Sequence, residues 1–201
     1  MQITAENLSC ERGGRTVFSN QNFALGSGEF LQLTGPNGSG KSSLLRLLAC
    51  LSEPSLGHLK LEGGAPELTL GQQAHYIAHS DASKSSLTVT ENLSFWRGFL
   101  GGGNLQRAID AVNLSALADY PVALLSAGQK RRLALARLAL IPRVIWLLDE
   151  PSVGLDEASQ KLLVALMSQH LKAGGLIVAA THVPLGLKPQ KKLHLDGKGQ
   201  A

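Results

Sequence analysis

Two unbroken apolar runs, Val144–Leu148 and Leu176–Ala180, read as strands buried on both faces, as in a parallel sheet. Shorter β-leaning stretches lie at 2–10 and 15–34, broken at Arg12-Gly13-Gly14 and Gly26-Ser27-Gly28, with others at Leu56–Gly63 and His75–Ala78. Between them the apolar spacing turns helical. One helix is predicted from about Lys41 to Leu51, stopped by Ser52-Glu53-Pro54, because proline disfavours a helical residue before it. Another helical pattern covers Thr90–Leu117, interrupted by Gly101-Gly102-Gly103. Two more cover Ser126–Leu140 and Asp156–Lys172, the last with acids in its first turn and Gly174-Gly175 at its end. Strands alternating with helices predict an α/β fold with a mainly parallel sheet and helices on both faces. The early strands lie too close together for helical crossovers, so they are expected to form an antiparallel patch. The segment from about 80 to 124 holds helices and no clear strand, as an inserted helical lobe would.

Composition narrows this little. The 201 residues suit one domain, and 44% hydrophobic with 17% charged residues is ordinary for a globular chain. No apolar run approaches the ~18 residues of a spanning helix. Met1–Glu6 has neither a basic nor an apolar leader segment, so no secretory signal is expected. Cys10 and Cys50 match no metal or redox spacing and read as free thiols. The net charge is +4; Lys188, Lys191, Lys192 and Lys198 read as a solvated basic tail. With aromatic residues at 4% there are few stacking platforms, and nucleic-acid binding is not expected.

The stretch Gly35-Pro36-Asn37-Gly38-Ser39-Gly40-Lys41-Ser42 fits G-x-x-x-x-G-K-[ST], the phosphate loop of P-loop NTPases. The β-leaning run Glu29–Thr34 leads in, and the helix carrying Ser43 leads out. A strand turning sharply into a helix aims unpartnered first-turn amides at one point, and that point attracts anions. Lys41 is placed to reach the β- and γ-phosphates of a nucleoside triphosphate and Ser42 to bind Mg²⁺. A glycine-rich turn with a chance lysine would lack both the strand and the helix. Downstream, the run Val144–Leu148 ends in Asp149-Glu150. At the carboxyl end of a parallel strand beside a phosphate loop, Asp149 is expected to hold Mg²⁺ and Glu150 to act as general base on a water.

Between these motifs lies Leu125-Ser126-Ala127-Gly128-Gln129. Alone it is a helix start with Ser126 as N-cap. In this position it resembles the LSGGQ signature of ABC ATPases, and the likeness extends over essentially the whole chain. Ser152–Asp156 is similar to that family's D-loop, and Thr181-His182 to its switch histidine. The resemblance implies a P-loop NTPase fold of the ABC type over 1–201, with a RecA-like core in 1–79 and 143–201 and a signature lobe in 80–142. It implies that Ser126, Ala127, Gly128 and Gln129 meet ATP bound to a second copy, that His182 contacts the γ-phosphate, and that the chain works as a head-to-tail homodimer. For the cations Lys130, Arg131 and Arg132 a solvated face and a phosphate-facing role are both open. Two positions depart from the family. Arg12 stands where an aromatic residue often stacks on adenine, though a guanidinium plane also stacks on a base. His79 stands at the expected Q-loop glutamine, eight residues before Leu87-Thr88-Val89, with a water-mediated place near Mg²⁺; Gln72 and Gln73 sit too early.

Cys10-Glu11-Arg12, Ala78-His79, the alanine in the signature and Thr181-His182-Val183-Pro184-Leu185 together resemble the haem-exporter ATP-binding subunits of cytochrome c maturation. That likeness implies a peripheral protein on the cytoplasmic face of the bacterial inner membrane, bound to integral membrane subunits. No haem site is expected on the chain itself: there is no C-x-x-C-H, and His58, His75, His79, His170, His182 and His194 are scattered. Another importer or exporter subunit stays open. A soluble ABC ATPase acting on ribosomes or DNA is less favoured, for want of a second cassette or a coiled-coil insertion.

Overall fold

Gly13 and Gly14, at φ 57° and 72°, turn the first hairpin, and only glycine takes two such angles in succession without strain. The hairpin joins β1 (Gln2–Arg12) to β2 (Arg15–Gly26), and β4 (Leu56–Glu62) pairs antiparallel on the other side of β1. This is the expected antiparallel patch. The structure, a computed structural model, is described for residues 1–197.

The second sheet is wholly parallel. Its strands are β3 (Phe30–Thr34), β5 (Ala74–Ile77), β6 (Ile145–Asp149), β7 (Leu176–Ala180) and β8 (Lys191–His194), in the order β5-β6-β7-β3-β8. Every residue of β6 and β7 is buried, which explains their unbroken apolar runs. Helix α1 (Lys41–Leu48) follows β3, and α5 (Glu157–Lys172) makes the crossover from β6 to β7. Asp156 caps α5 through a 2.8 Å bond from Ser159 N.

The helical segment contains α2 (Val89–Leu100), α3 (Leu105–Asp110) and α4 (Ala127–Leu140). The glycines at 101–103 do separate α2 from α3, with Gly101 closing α2 at φ 86°. Asn92 is buried on α2. It fastens the preceding loop by donating to Lys84 O, Leu87 O and Thr88 O and accepting from Lys84 N. Leu93, Ile109, Val112, Leu133 and Leu135 share one core with Trp146, Leu148, Ile177 and Met167, so the helices are continuous with one face of the sheet. The other face packs on α1 and the antiparallel patch through Leu31, Leu33, Leu44, Leu48, Ile3 and Leu25.

The C-terminal basic segment differs from the expectation of a solvated tail. Lys191 and Lys192 belong to β8, which pairs with β3, and Lys191 makes a 2.9 Å ion pair with Glu29 and donates to Ala24 O. The Gly26 amide, which donates to this carboxylate, and then the Lys191 pair hold the Glu29 carboxyl below its ordinary range. Lys188 is exposed and precedes the strand, whereas Lys198 lies outside the described residues.

Two rings in this core stay uncharged. Burial pushes His75 down to about 4 and His170 down to about 4. His75 Nε2 lies 2.8 Å from Ile141 O, so the neutral ring donates there, and His170 stacks on Trp146 at 4.0 Å. The unfolded chain takes up the His75 proton near pH 6.5, the folded chain only near 4. Stability present above pH 6.5 is thus lost as pH falls through that window, by up to about 1.4 kcal/mol per pH unit from this ring. His75→Gln, which retains a donor for Ile141 O, should flatten the decline. Urea unfolding at about pH 7 and about pH 5 measures it; equal slopes for both proteins would remove His75 as a cause.

Candidate functional site

Three neighbouring strands end on the same side. β3 runs into the phosphate loop, β6 into Asp149-Glu150 and β7 into Thr181-His182, and Asp149 is in register with Ala180. Parallel neighbours deliver their carboxyl ends together, which is how distant motifs reach one place. The result is a cleft of about 470 Å³ lined by Arg12, Val17, Asn37, Gly38, Gly40, Lys41, Ser42, Ser43, His79, Asp149, Glu150 and His182.

Within it, the Lys41 ammonium donates 2.7 Å to Gly35 O and 2.9 Å to Pro36 O. The loop's own carbonyls therefore fix the cation at the cleft. Gly40 caps α1 at φ 100°, and a Cβ there would lie 2.7 Å from Val17 Cγ1 and 2.8 Å from Phe18 Cδ1. Glycine is required because β2 closes against the loop. Ser39 is buried, and its hydroxyl has no protein partner.

Glu150 stands at φ 47°, left-handed for a side chain with a Cβ, and its amide donates 2.9 Å to Ala180 O. Such a conformation persists where surrounding bonds over-determine it, and it gathers at functional sites. His182 Nε2 lies 3.6 Å from Glu150 Oε1, close but longer than a hydrogen bond. Thr181 anchors the turn that carries His182, accepting 3.1 Å from Val183 N and donating 2.9 Å to Val183 O.

Several residues singled out in the sequence come together in this cleft. Arg12, at the end of β1, and His79, after β5, both line the cleft. Gln73 does not: it is buried and bonds the backbone at Ala65 and Leu68, while Gln72 accepts from Thr69 N. Ser126 and Ala127 are exposed at the start of α4 and stand apart from the cleft. Ser126 caps α4 in a reciprocal box with Gln129, through bonds of 3.2 and 2.8 Å. A Cβ on Gly128 would lie 2.9 Å from Gly154 O, so the signature turn packs on the loop after Glu150. Of the three cations after the signature, Arg131 fits neither open reading, being buried at 4% exposed. Arg132 donates to Val112 O and Asn113 O, tying α4 to the chain after α3. Val17 also lines the cleft, although a lone apolar residue in a hairpin carries no signal of a cleft wall.

The donor set also bears on the expected Mg²⁺. Ser42 is exposed at the first turn of α1, and the Asp149 carboxylate is buried at the cleft. A hydroxyl and a carboxylate are hard oxygen donors, suited to a cation that takes few protein ligands and completes its shell with water and phosphate. The residues present fit the ion.

The sequence pattern of the ABC transporter family matches residues 18–153. The "Cytochrome c biogenesis ATP-binding export protein CcmA" of Nitrobacter winogradskyi is 54% identical, over 98% of this chain and 99% of its own. The chain belongs to the CcmA family of ABC transporter ATP-binding proteins. The CcmA of Bradyrhizobium diazoefficiens is 50% identical over 98% of this chain and 99% of its own. Solved ABC cassettes share the fold. A putative ABC transporter ATP-binding protein from Pyrococcus furiosus superposes with a TM-score of 0.82 at 21% identity, over 97% of this chain and 98% of that one. A cassette solved as a dimer in a post-hydrolysis state, bound to ADP and Pi, gives 0.82 at 23% identity, over 97% and 94%. As a CcmA-family member the chain is an ABC-type ATPase.

Proposed function

We propose that this chain is the ATP-hydrolysing subunit of a membrane complex that exports or handles haem for cytochrome c maturation. The observation that carries the catalytic half is the convergence of Lys41, Ser42, Asp149, Glu150 and His182 in one cleft. Gly35–Ser43 cradle the triphosphate, with Lys41 on the β- and γ-phosphates. Arg12 stacks on the base, against the apolar wall of Val17. Ser42 and Asp149 would hold Mg²⁺, with His79 reaching it through water, and the ion would supply positive charge against the phosphates. Glu150 takes a proton from the attacking water, and His182, at the same end of the cleft, contacts the γ-phosphate. Residues 1–201 act as one unit, with 1–79 and 143–201 as nucleotide-binding core and 80–142 as signature lobe.

Ser126, Ala127, Gly128 and Gln129 complete the site of a second copy in a head-to-tail homodimer. Their exposure at a capped helix start, away from the chain's own cleft, supports that reading.

No helix among the described residues is long and apolar enough to cross a membrane, so attachment to the inner membrane's cytoplasmic face goes through integral partners. A groove of about 610 Å³ between α2 and the sheet supports such docking; Trp96, Phe99, Tyr76 and Arg137 line it. Phe99 is 72% exposed there and Phe95 53% nearby, a large apolar surface to leave in water.

Isolation of the tagged chain from detergent-treated membranes tests the assignment. Integral haem-handling proteins should accompany it, and loss of the chain should abolish c-type cytochromes. Phe99→Asp should retain ATP binding yet lose the membrane proteins. Recovery of the chain with ribosomes or DNA instead would overturn the membrane role.

A further inference from the structure

Arg131 sits five positions after Ser126 on α4, and all five N–H donors of its guanidinium find partners. Nη2 donates 2.8 Å to Asp149 O and 2.8 Å to Glu150 O, and Nε donates 3.3 Å to Pro151 O. Nη1 donates 2.9 Å to Ala78 O and 3.0 Å to Asp81 Oδ1. The first three acceptors are consecutive carbonyls, and the middle one belongs to the left-handed Glu150. The other two bracket His79 in sequence.

Three successive carbonyls directed at one locus need a donor fork to hold them together. A planar guanidinium supplies one, whereas an ammonium is a single point. With both nitrogen pairs and Nε spent, no donor remains for phosphate or solvent. The side chain therefore belongs to neither open reading of the cations after the signature. It joins three elements: the helix begun by Ser126, the turn bearing Asp149 and Glu150, and the segment bearing His79.

We propose that Arg131 is a positioning residue that fixes the Glu150 carboxylate for hydrolysis and ties its place to those of α4 and the 78–81 segment. Any shift of α4 that follows assembly on a second copy is thereby transmitted to the catalytic turn and to His79 together. This rests on the ATPase reading of the cleft.

The test uses full-length chains, comparing equilibrium binding of a fluorescent ATP analogue with steady-state turnover. Arg131→Lys retains the charge but not the fork. Its nucleotide Kd should stay within about threefold of wild type, while kcat falls on the order of 10²-fold, as small misplacements of catalytic groups do. Asp81→Asn loosens only the 78–81 arm and should lower kcat about threefold, with no further loss when added to Arg131→Lys, because both act through one link. Unchanged kcat in folded Arg131→Lys, or parallel loss of Kd and kcat, would overturn the positioning role. If Arg131→Lys does not fold, Asp81→Asn decides: unchanged kcat removes the coupling. An inactive wild-type chain would instead refute the ATPase reading itself.

Discussion

Glu150→Gln is expected to bind ATP, to hydrolyse it about 10²–10⁴-fold more slowly, and to accumulate as an ATP-bound dimer. A general base acts in the transition state and contributes little to holding the ground-state triphosphate, so kcat should fall far more than affinity. The amide keeps the size of the side chain, and Arg131 holds the residue through its backbone carbonyl, which the substitution leaves in place. Removing a negative charge beside the triphosphate also favours the closed pair of chains. Size-exclusion chromatography should show a dimer with Mg-ATP and not with Mg-ADP. Membranes carrying the variant should assemble the complex yet fail to mature c-type cytochromes. Wild-type turnover would exclude Glu150 as the base and direct attention to His182, whose Nε2 lies 3.6 Å away.

Lys41→Ala acts on the other side of the reaction coordinate. Lys41 is 8% exposed and its ammonium is tethered to Gly35 O and Pro36 O, so the wild-type cation is in place before nucleotide arrives. Loss of one charge-assisted phosphate contact, worth about 1.5–3 kcal/mol, should weaken ATP binding about 10–10²-fold and remove turnover. Calorimetric titration measures the first and phosphate release the second. The same variant tests sharing of the site. Ser126→Arg should bind ATP but hydrolyse poorly, and mixing it with Lys41→Ala should restore turnover, since one heterodimer site then joins an intact Lys41 to an intact Ser126. Proven heterodimers without activity would refute a site shared between chains. Near-normal hydrolysis by Lys41→Ala alone would refute the assignment of 35–42.

What could be read in the sequence was local. The phosphate loop, the acids after an apolar run and the capped signature each lie within a few residues, and their chemistry depends on spacing along the chain. Strands β6 and β7 announced themselves because burial on both faces leaves no polar position. Counting eight residues back from Leu87 reaches His79, and His79 lines the cleft. What escaped was long-range. β8 reads as a polar tail because Lys-Lys-Leu-His on a half-exposed edge carries too little apolar signal. Arg131 looked like one of three helix cations, since nothing near it in sequence reveals acceptors some 20 and 50 positions away. Val17 likewise became a cleft wall only through the closure of β2 on Gly40.

The strand order has a consequence for synthesis. β3, which carries the phosphate loop, has β7 and β8 as its two neighbours, and both are made about 145–160 residues later. The hairpin of β1 and β2 has local partners and can close early, but β3 must wait with neither edge paired. At about 5–20 residues per second, that interval leaves an apolar strand exposed for roughly 7–32 s. Nucleotide therefore cannot assist the early stages of folding, and a nascent chain stalled before Leu176 should bind no ATP however much helix it has formed. The ability to bind ATP thus emerges as one of the last events in the making of the molecule.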